Sequence, residues 1–180
     1  MLPLEGFRVL DLTHVLAGPC ATHHLRCMGA EVIKIERPAG GDPMRALDMQ
    51  PALGGLTPGF RALNAGKKSV VIDLATEEGR ALLLRIAAGC DVFVENFRPG
   101  AARRLGLAPE DIRAVRPDVI YCSISGWGQS GPNSARGAYD HVIQAATGMM
   151  ALQGGGADEP PVKVGFPVID IATGMSAAEA

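Results

Sequence analysis

Five short runs of apolar and β-branched residues constrain this chain more than any other feature. They are FRVLDLT (7–13), EVIKIE (31–36), SVVIDL (69–74), DVFVEN (91–96) and DVIYCSIS (118–125). EVIKIE sets Val32, Lys34 and Glu36 against Ile33 and Ile35, a strand period. The segments between the runs read largely as helices. Pro19 is placed as a first helical residue of GPCATHHLRCMGA, and Gly29 as its stop. Thr76 predicts a cap for a helix with Glu77 and Glu78 in its first turn, with Leu82, Leu83 and Ile86 on one face and Gly89 at its end. GAARRL and PEDIRAV predict two short helices, the second halted before Pro117. Residues 139 to 150 read as helical, and 154 to 161 as a loop around Gly154, Gly155 and Gly156. Residues 38 to 66, rich in Pro and Gly, read as a long irregular excursion, and such loops are usually functional or mobile. DIATGMSAAEA begins a helix and stops without Gly, Pro or a basic last turn, as a fragment would. Buried strands alternating with helices predict an α/β fold with a parallel sheet covered by helices.

The 180 residues fit one domain with a substantial core, and 47% hydrophobic against 20% charged residues describes a folded chain. A net charge of −2 leaves no footprint for nucleic acid or an anionic membrane. No apolar run approaches the roughly 20 residues of a bilayer span. The start, MLPLEG, lacks the basic and apolar regions of a signal peptide. Cys20, Cys27, Cys90 and Cys122 are scattered, implying neither a zinc site nor a disulfide framework. A reduced, cytoplasmic compartment is the expectation.

Several motifs tempt and fall short. GWGQSG (126–131) fits G-x-G-x-x-G after a predicted strand, but Pro132, Asn133 and Ser134 continue the turn where a helix should open. His14, His23, His24 and His141 form no metal-ligand spacing, so no metal is expected and helix surface or core edge is their default. No G-x-S-x-G elbow is present. The cations say more. Arg37 follows one strand, Lys67 and Lys68 precede another, and Arg98, Arg103 and Arg104 follow a third. Ligands collect at the carboxyl ends of parallel strands, so Arg37, Arg98 and Arg104 could converge on phosphate, or could be ordinary solvated charge. Asp170, within VIDIATGM, is the one charge in an otherwise apolar stretch. An unpaired carboxylate is costly to bury, so it either caps a helix or is held dry for reaction.

Six ordered segments carry a resemblance: LEGFRVLDLTHVLAGP, GAEVIKIERPAGGDPMR, LNAGKKSVVIDL, DVFVENFRPGAARRLGL, YCSISGWGQSGP and D-x-x-T-G-M. Over essentially its whole length the chain resembles the class III CoA-transferases, a family that includes formyl-CoA transferase and α-methylacyl-CoA racemase. The resemblance implies that residues 1–180 form the N-terminal part of a Rossmann-like large domain, without the small domain and C-terminal half. It implies an interlocked homodimer, coenzyme A or acyl-CoA as substrate with a carboxylic acid acceptor, and no permanently bound cofactor. CoA would pass between acids through an acyl-aspartyl anhydride and an aspartyl-CoA thioester, with Asp170 as nucleophile. By position, Leu16, Ala17 and Arg37 would contact CoA. Ile72, Asp73, Leu74 and Ala75, then Asn96, Phe97, Arg98 and Arg104, would line its adenosine and phosphate part. Gly137, Ala138, Tyr139 and Asp140 would border the pantetheine end. If Asp170 starts the terminal helix, backbone N–H groups would keep it ionised, and Gly174 would allow close approach of another backbone or the thioester. Leu16 and Gly137 stand where formyl-CoA transferase has Gln and Lys, which puts that substrate pair in doubt. Tyr139 stands where racemases of the family carry His, which favours transfer over racemisation. An inactive fragment that at most binds CoA is the third alternative.

Overall fold

The computed structural model describes residues 1–47, 56–154 and 158–180. Among them, five strands form one sheet: β1 Arg8–Asp11, β2 Glu31–Glu36, β3 Lys68–Val71, β4 Val92–Glu95 and β5 Ile120–Ser123. Every pairing is parallel and the order is β3-β2-β1-β4-β5. The α/β sheet expected from the alternating runs is therefore present. Its order reverses at β1, which lies between β2 and β4 with Val9 opposite both Val32 and Val92. Such a switch opens a crevice at the carboxyl ends of the two central strands.

The described helices are α1 Ala17–Cys27, α2 Met44–Leu47, α3 Pro58–Asn64, α4 Glu77–Ala87, α5 Ala101–Arg104, α6 Pro109–Val115, α7 Asp140–Ala146, α8 Met149–Gln153 and α9 Val168–Glu179. Local chemistry explains their starts. The Thr76 hydroxyl accepts the N–H of Gly79 at 3.0 Å and opens α4. Thr57, followed by Pro58, caps α3 through the N–H of Phe60. That helix lies inside the segment expected to be irregular, whose residues 48–55 fall outside the described residues. Pro19 is the third residue of α1 rather than the first, still within the turn whose N–H groups lack helical partners. The expected helix over 139 to 150 is broken at Gly148, which takes φ of 80° between α7 and α8. Of the glycine loop expected after it, Gly155 and Gly156 fall outside the described residues.

Alternation along the strands divides the core in two. Leu10, Leu12, Ile35 and Phe93 meet Leu83 of α4 and Ile112 of α6 on one face. Val9, Val32 and Val94 meet Ala21 of α1 and Ala177 of α9 on the other. Leu82, expected beside Leu83, points outward at 42% exposure. The polar positions of β2 are not the solvent face their alternation suggests, because α1 and the chain after β2 cover them. Lys34 is buried in an ion pair with Asp42, and Glu36 accepts a fork from Arg45. Lys67 is likewise no free cation: it is buried against Asp11 and bonds the Thr22 hydroxyl. All four cysteines are free. No helix among the described residues is long and apolar enough to cross a membrane.

Candidate functional site

Residues shortly beyond β1 and β4 lie side by side across the crevice. Asn96 clamps His14 from both sides, accepting its N–H and donating to its carbonyl, each at 2.8 Å. His14 and Phe97 approach with ring centroids 5.7 Å apart and together divide the crevice into two connected clefts. The smaller, about 200 Å³, is walled by Leu12, Ile35, Ile72, Leu74 and Leu105, with Arg37, Asp73 and Ala75 at its edge. The larger, about 410 Å³, runs past Leu16, Ala17, Asn96 and Arg98 to Gly137, Ala138, Tyr139 and Asp170.

Thirteen of the candidate CoA-contact residues thus border one of two adjoining clefts. Two do not. Arg104 projects from α5 as an exposed side chain outside both linings, so of the three expected arginines only Arg37 and Arg98 reach a cleft. Asp140 lies buried beneath the larger cleft. One of its oxygens accepts the N–H groups of Ile169 and Asp170 at 2.7 and 3.1 Å, and the other accepts the Gln144 side-chain amide. Gln144 in turn accepts the N–H of Val164 at 2.9 Å.

This arrangement revises the expectation for Asp170. It is the third residue of α9 but not its cap, since Asp140 of α7 already takes the N–H groups that open the helix. No hydrogen bond to the Asp170 carboxylate is made among the described residues, and the side chain is half-buried. Burial, then the nearby Asp140 charge, pushes its pKa up to about 6, against a smaller opposing pull from His141. A carboxylate so placed is ionised near neutrality yet poorly solvated, the combination a carboxylate nucleophile requires. Gly174, one turn further on, is where α9 meets α1: a Cβ there would come within 2.6 Å of the Ala17 carbonyl oxygen. The close approach is to a helix backbone.

Sequence reasoning passed over several residues of the larger cleft. His14 lines both clefts, and its Nδ1 is buried without a partner. Its place directly after the FRVLDLT run was the available signal. Trp127 lies within the rejected glycine motif and Arg136 five residues beyond it. The Arg136 guanidinium lies 5.0 Å from the Trp127 ring centroid, and the indole N–H donates to the Gly137 carbonyl. Tyr139, 63% exposed, stacks against His141 at 6.1 Å. Among the described residues no cluster of His, Cys, Asp and Glu has the makings of a metal site.

Comparison with known proteins agrees with the topology. A family model described as CoA-transferase family III matches residues 4–180. Succinyl-CoA:glutarate CoA-transferase of Mus musculus is 46% identical over 177 residues, covering 98% of this chain and 40% of the relative. Acetyl-CoA:oxalate CoA-transferase of Acetobacter aceti is 44% identical over 163 residues, covering 91% of this chain and 41% of the relative. The crystal structure of a CAIB/BAIF family protein from Brucella suis superposes with a TM-score of 0.92 at 41% identity, covering 99% of this chain and 47% of that one. The chain therefore spans less than half the length of each.

Proposed function

From the premise that the chain belongs to CoA-transferase family III, we propose that it carries the nucleophile and most of the CoA-binding surface of an enzyme moving coenzyme A between carboxylic acids. The observation that carries this reading is the half-buried Asp170 carboxylate, without a hydrogen-bond partner among the described residues, at the end of a cleft opening from the carboxyl ends of the central strands. The apolar smaller cleft suits the adenine ring, with Arg37 at its edge for phosphate, and the larger one suits the pantetheine arm and thioester.

The chemistry then runs in four balanced steps. An Asp170 oxygen attacks the acyl carbon of the donor thioester, the C–S bond breaks, and CoA thiolate leaves an acyl-aspartyl anhydride. The thiolate attacks the aspartyl carbonyl carbon, expelling the donor acid and forming an aspartyl-CoA thioester. The acceptor carboxylate attacks that carbonyl, releasing thiolate and forming a second anhydride. Attack of the thiolate on the acceptor's acyl carbon yields the new acyl-CoA and regenerates the Asp170 carboxylate.

The named relatives use succinyl, glutarate and oxalate groups, and dicarboxylic acids are the proposed substrates here as well. Arg136, on the cleft wall with no acidic partner among the described residues, is the cation placed to take a distal carboxylate. An interlocked homodimer is proposed for the complete protein, supported by the exposed apolar side chains Leu152, Val162 and Phe166. Hydroxylamine quenching of the complete protein during turnover, with mass spectrometry of the Asp170 peptide, tests the reading. A hydroxamate at Asp170 that forms only with acyl-CoA, together with an inactive Asp170→Asn variant that still binds CoA, is the expected result. An unmodified peptide and an active variant would overturn it.

A further inference from the structure

Val15 is the one non-glycine residue with positive φ among the described residues, at 67°. For a β-branched side chain this left-handed conformation is a genuine outlier, and it persists only where the surroundings fix it. Val15 sits between the end of β1 and the start of α1, so its turn sets where Leu16 and Ala17 enter the larger cleft. Buried polar groups hold each side of that turn. The Val15 N–H donates to Asp42 Oδ1 at 3.0 Å, and the Thr13 carbonyl accepts Lys34 Nζ at 2.7 Å. Lys34 Nζ pairs with the other Asp42 oxygen at 2.9 Å, the two side chains being 1% and 0% exposed. Asp42 is fixed in its turn. Its Oδ1 also accepts the Met44 N–H, and its own N–H donates to Glu36, which the Arg45 fork immobilises. Neither Lys34 nor Asp42 borders either cleft.

We propose that the buried Lys34–Asp42 pair is a positioning device for the transfer reaction. It holds Val15 in its left-handed turn and so keeps Leu16 and Ala17 against the thioester end of the ligand. The inference rests on the CoA-transfer reading given above. A buried charge pair is a poor source of net stability, so its placement under a strained turn at the cleft calls for a role beyond stability. Glycine adopts the same φ without strain, so the turn should cease to need Asp42 once Val15 is glycine.

The test is a double-mutant cycle in the complete protein with Asp42→Asn, Val15→Gly and both together, reading kcat, CoA affinity by calorimetry and Tm. Asp42→Asn should lower kcat about tenfold or more, in keeping with misplacement of reacting groups. In the Val15→Gly background the same change should cost less than about threefold, while the Tm loss is alike in both backgrounds. Equal fold-losses of kcat in the two backgrounds, or none from Asp42→Asn, would overturn the proposal. Should Asp42→Asn not fold, Lys34→Gln takes its place in the cycle with the same expectations. A wild-type protein that binds CoA but transfers none would defeat the functional reading instead, and the cycle is then read on affinity alone.

Discussion

Burial and the Asp140 charge push the pKa of Asp170 to about 6, and the consequence differs in sign for folding and for catalysis. In the unfolded chain the group titrates near 3.8, so the fold favours its protonated form. Stability is therefore lost as pH rises through this window, and the full cost is present above about 6. Asp170→Asn should stabilise the fold at pH 7 to 8 by about 1 kcal/mol once solvent screening on its exposed side is allowed for, read as a higher Tm. The gain should vanish below pH 4, which melting curves across pH will show. On the proposed mechanism transfer has the opposite dependence, because only the carboxylate attacks. The kcat/KM of the complete protein should climb through about pH 6. Asp140→Asn removes the like charge, and should move that limb to lower pH while loosening the start of α9. An unmoved limb in the Asp140→Asn profile would show that Asp170 does not feel its neighbour.

Helices α1 and α9 meet through Gly174, and the position of Asp170 depends on that contact. Gly174→Ala puts a methyl against the Ala17 carbonyl, so α9 must shift. Overpacking of this kind costs about 1–3 kcal/mol, and an ångström of displacement can cost on the order of a hundredfold in rate. Asp111→Ala is the control: it removes the acceptor of the Ala108 N–H at the start of α6, outside both clefts, and should lose about 1 kcal/mol with transfer unaffected. Steady-state kinetics beside denaturant melts will separate the two variants, and equal kinetics would mean that α9 can move without moving the reaction. Elements of this size were readable where the signal is local. All five strands and the Thr76 cap follow from neighbouring residues. Helix α3 was legible in Thr57 and Pro58 but masked by the surrounding Pro and Gly. The fates of Lys34, Glu36 and Lys67 were not, because partners in distant segments decide them. The site divides the same way. The resemblance pointed to Asp170 and residues 137–139, which line the cleft, and the place of His14 after the first strand run was a local signal, whereas Trp127 and Arg136 enter the cleft through a topology no local pattern reports.

Across the molecule, the face of the sheet toward α1 grades from apolar Val9 and Val32 to charged Asp11, Lys34 and Glu36 near the carboxyl ends of the strands. Burial opposes ionisation of Glu36, but bonds from Arg45, Ser69 and the Asp42 N–H outweigh it and hold its pKa at about 2. Its contribution to stability is present above 4.5 and lost as pH falls through about 2. Glu36→Gln should flatten the dependence of urea unfolding on pH across that window, and an unchanged slope would assign acid unfolding to other groups. The strand order also imposes a schedule on synthesis. The Asn96 clamp on His14 spans 82 residues of chain, because β4 inserts beside β1 only after β2 and β3 have been made. A ribosome that has delivered the first ninety residues has supplied β1, α1, β2 and β3 but only one lip of the crevice. Asp170 arrives later still, on the helix that closes over α1. Within these 180 residues the crevice is therefore completed late, after a long-range pairing that local structure cannot supply.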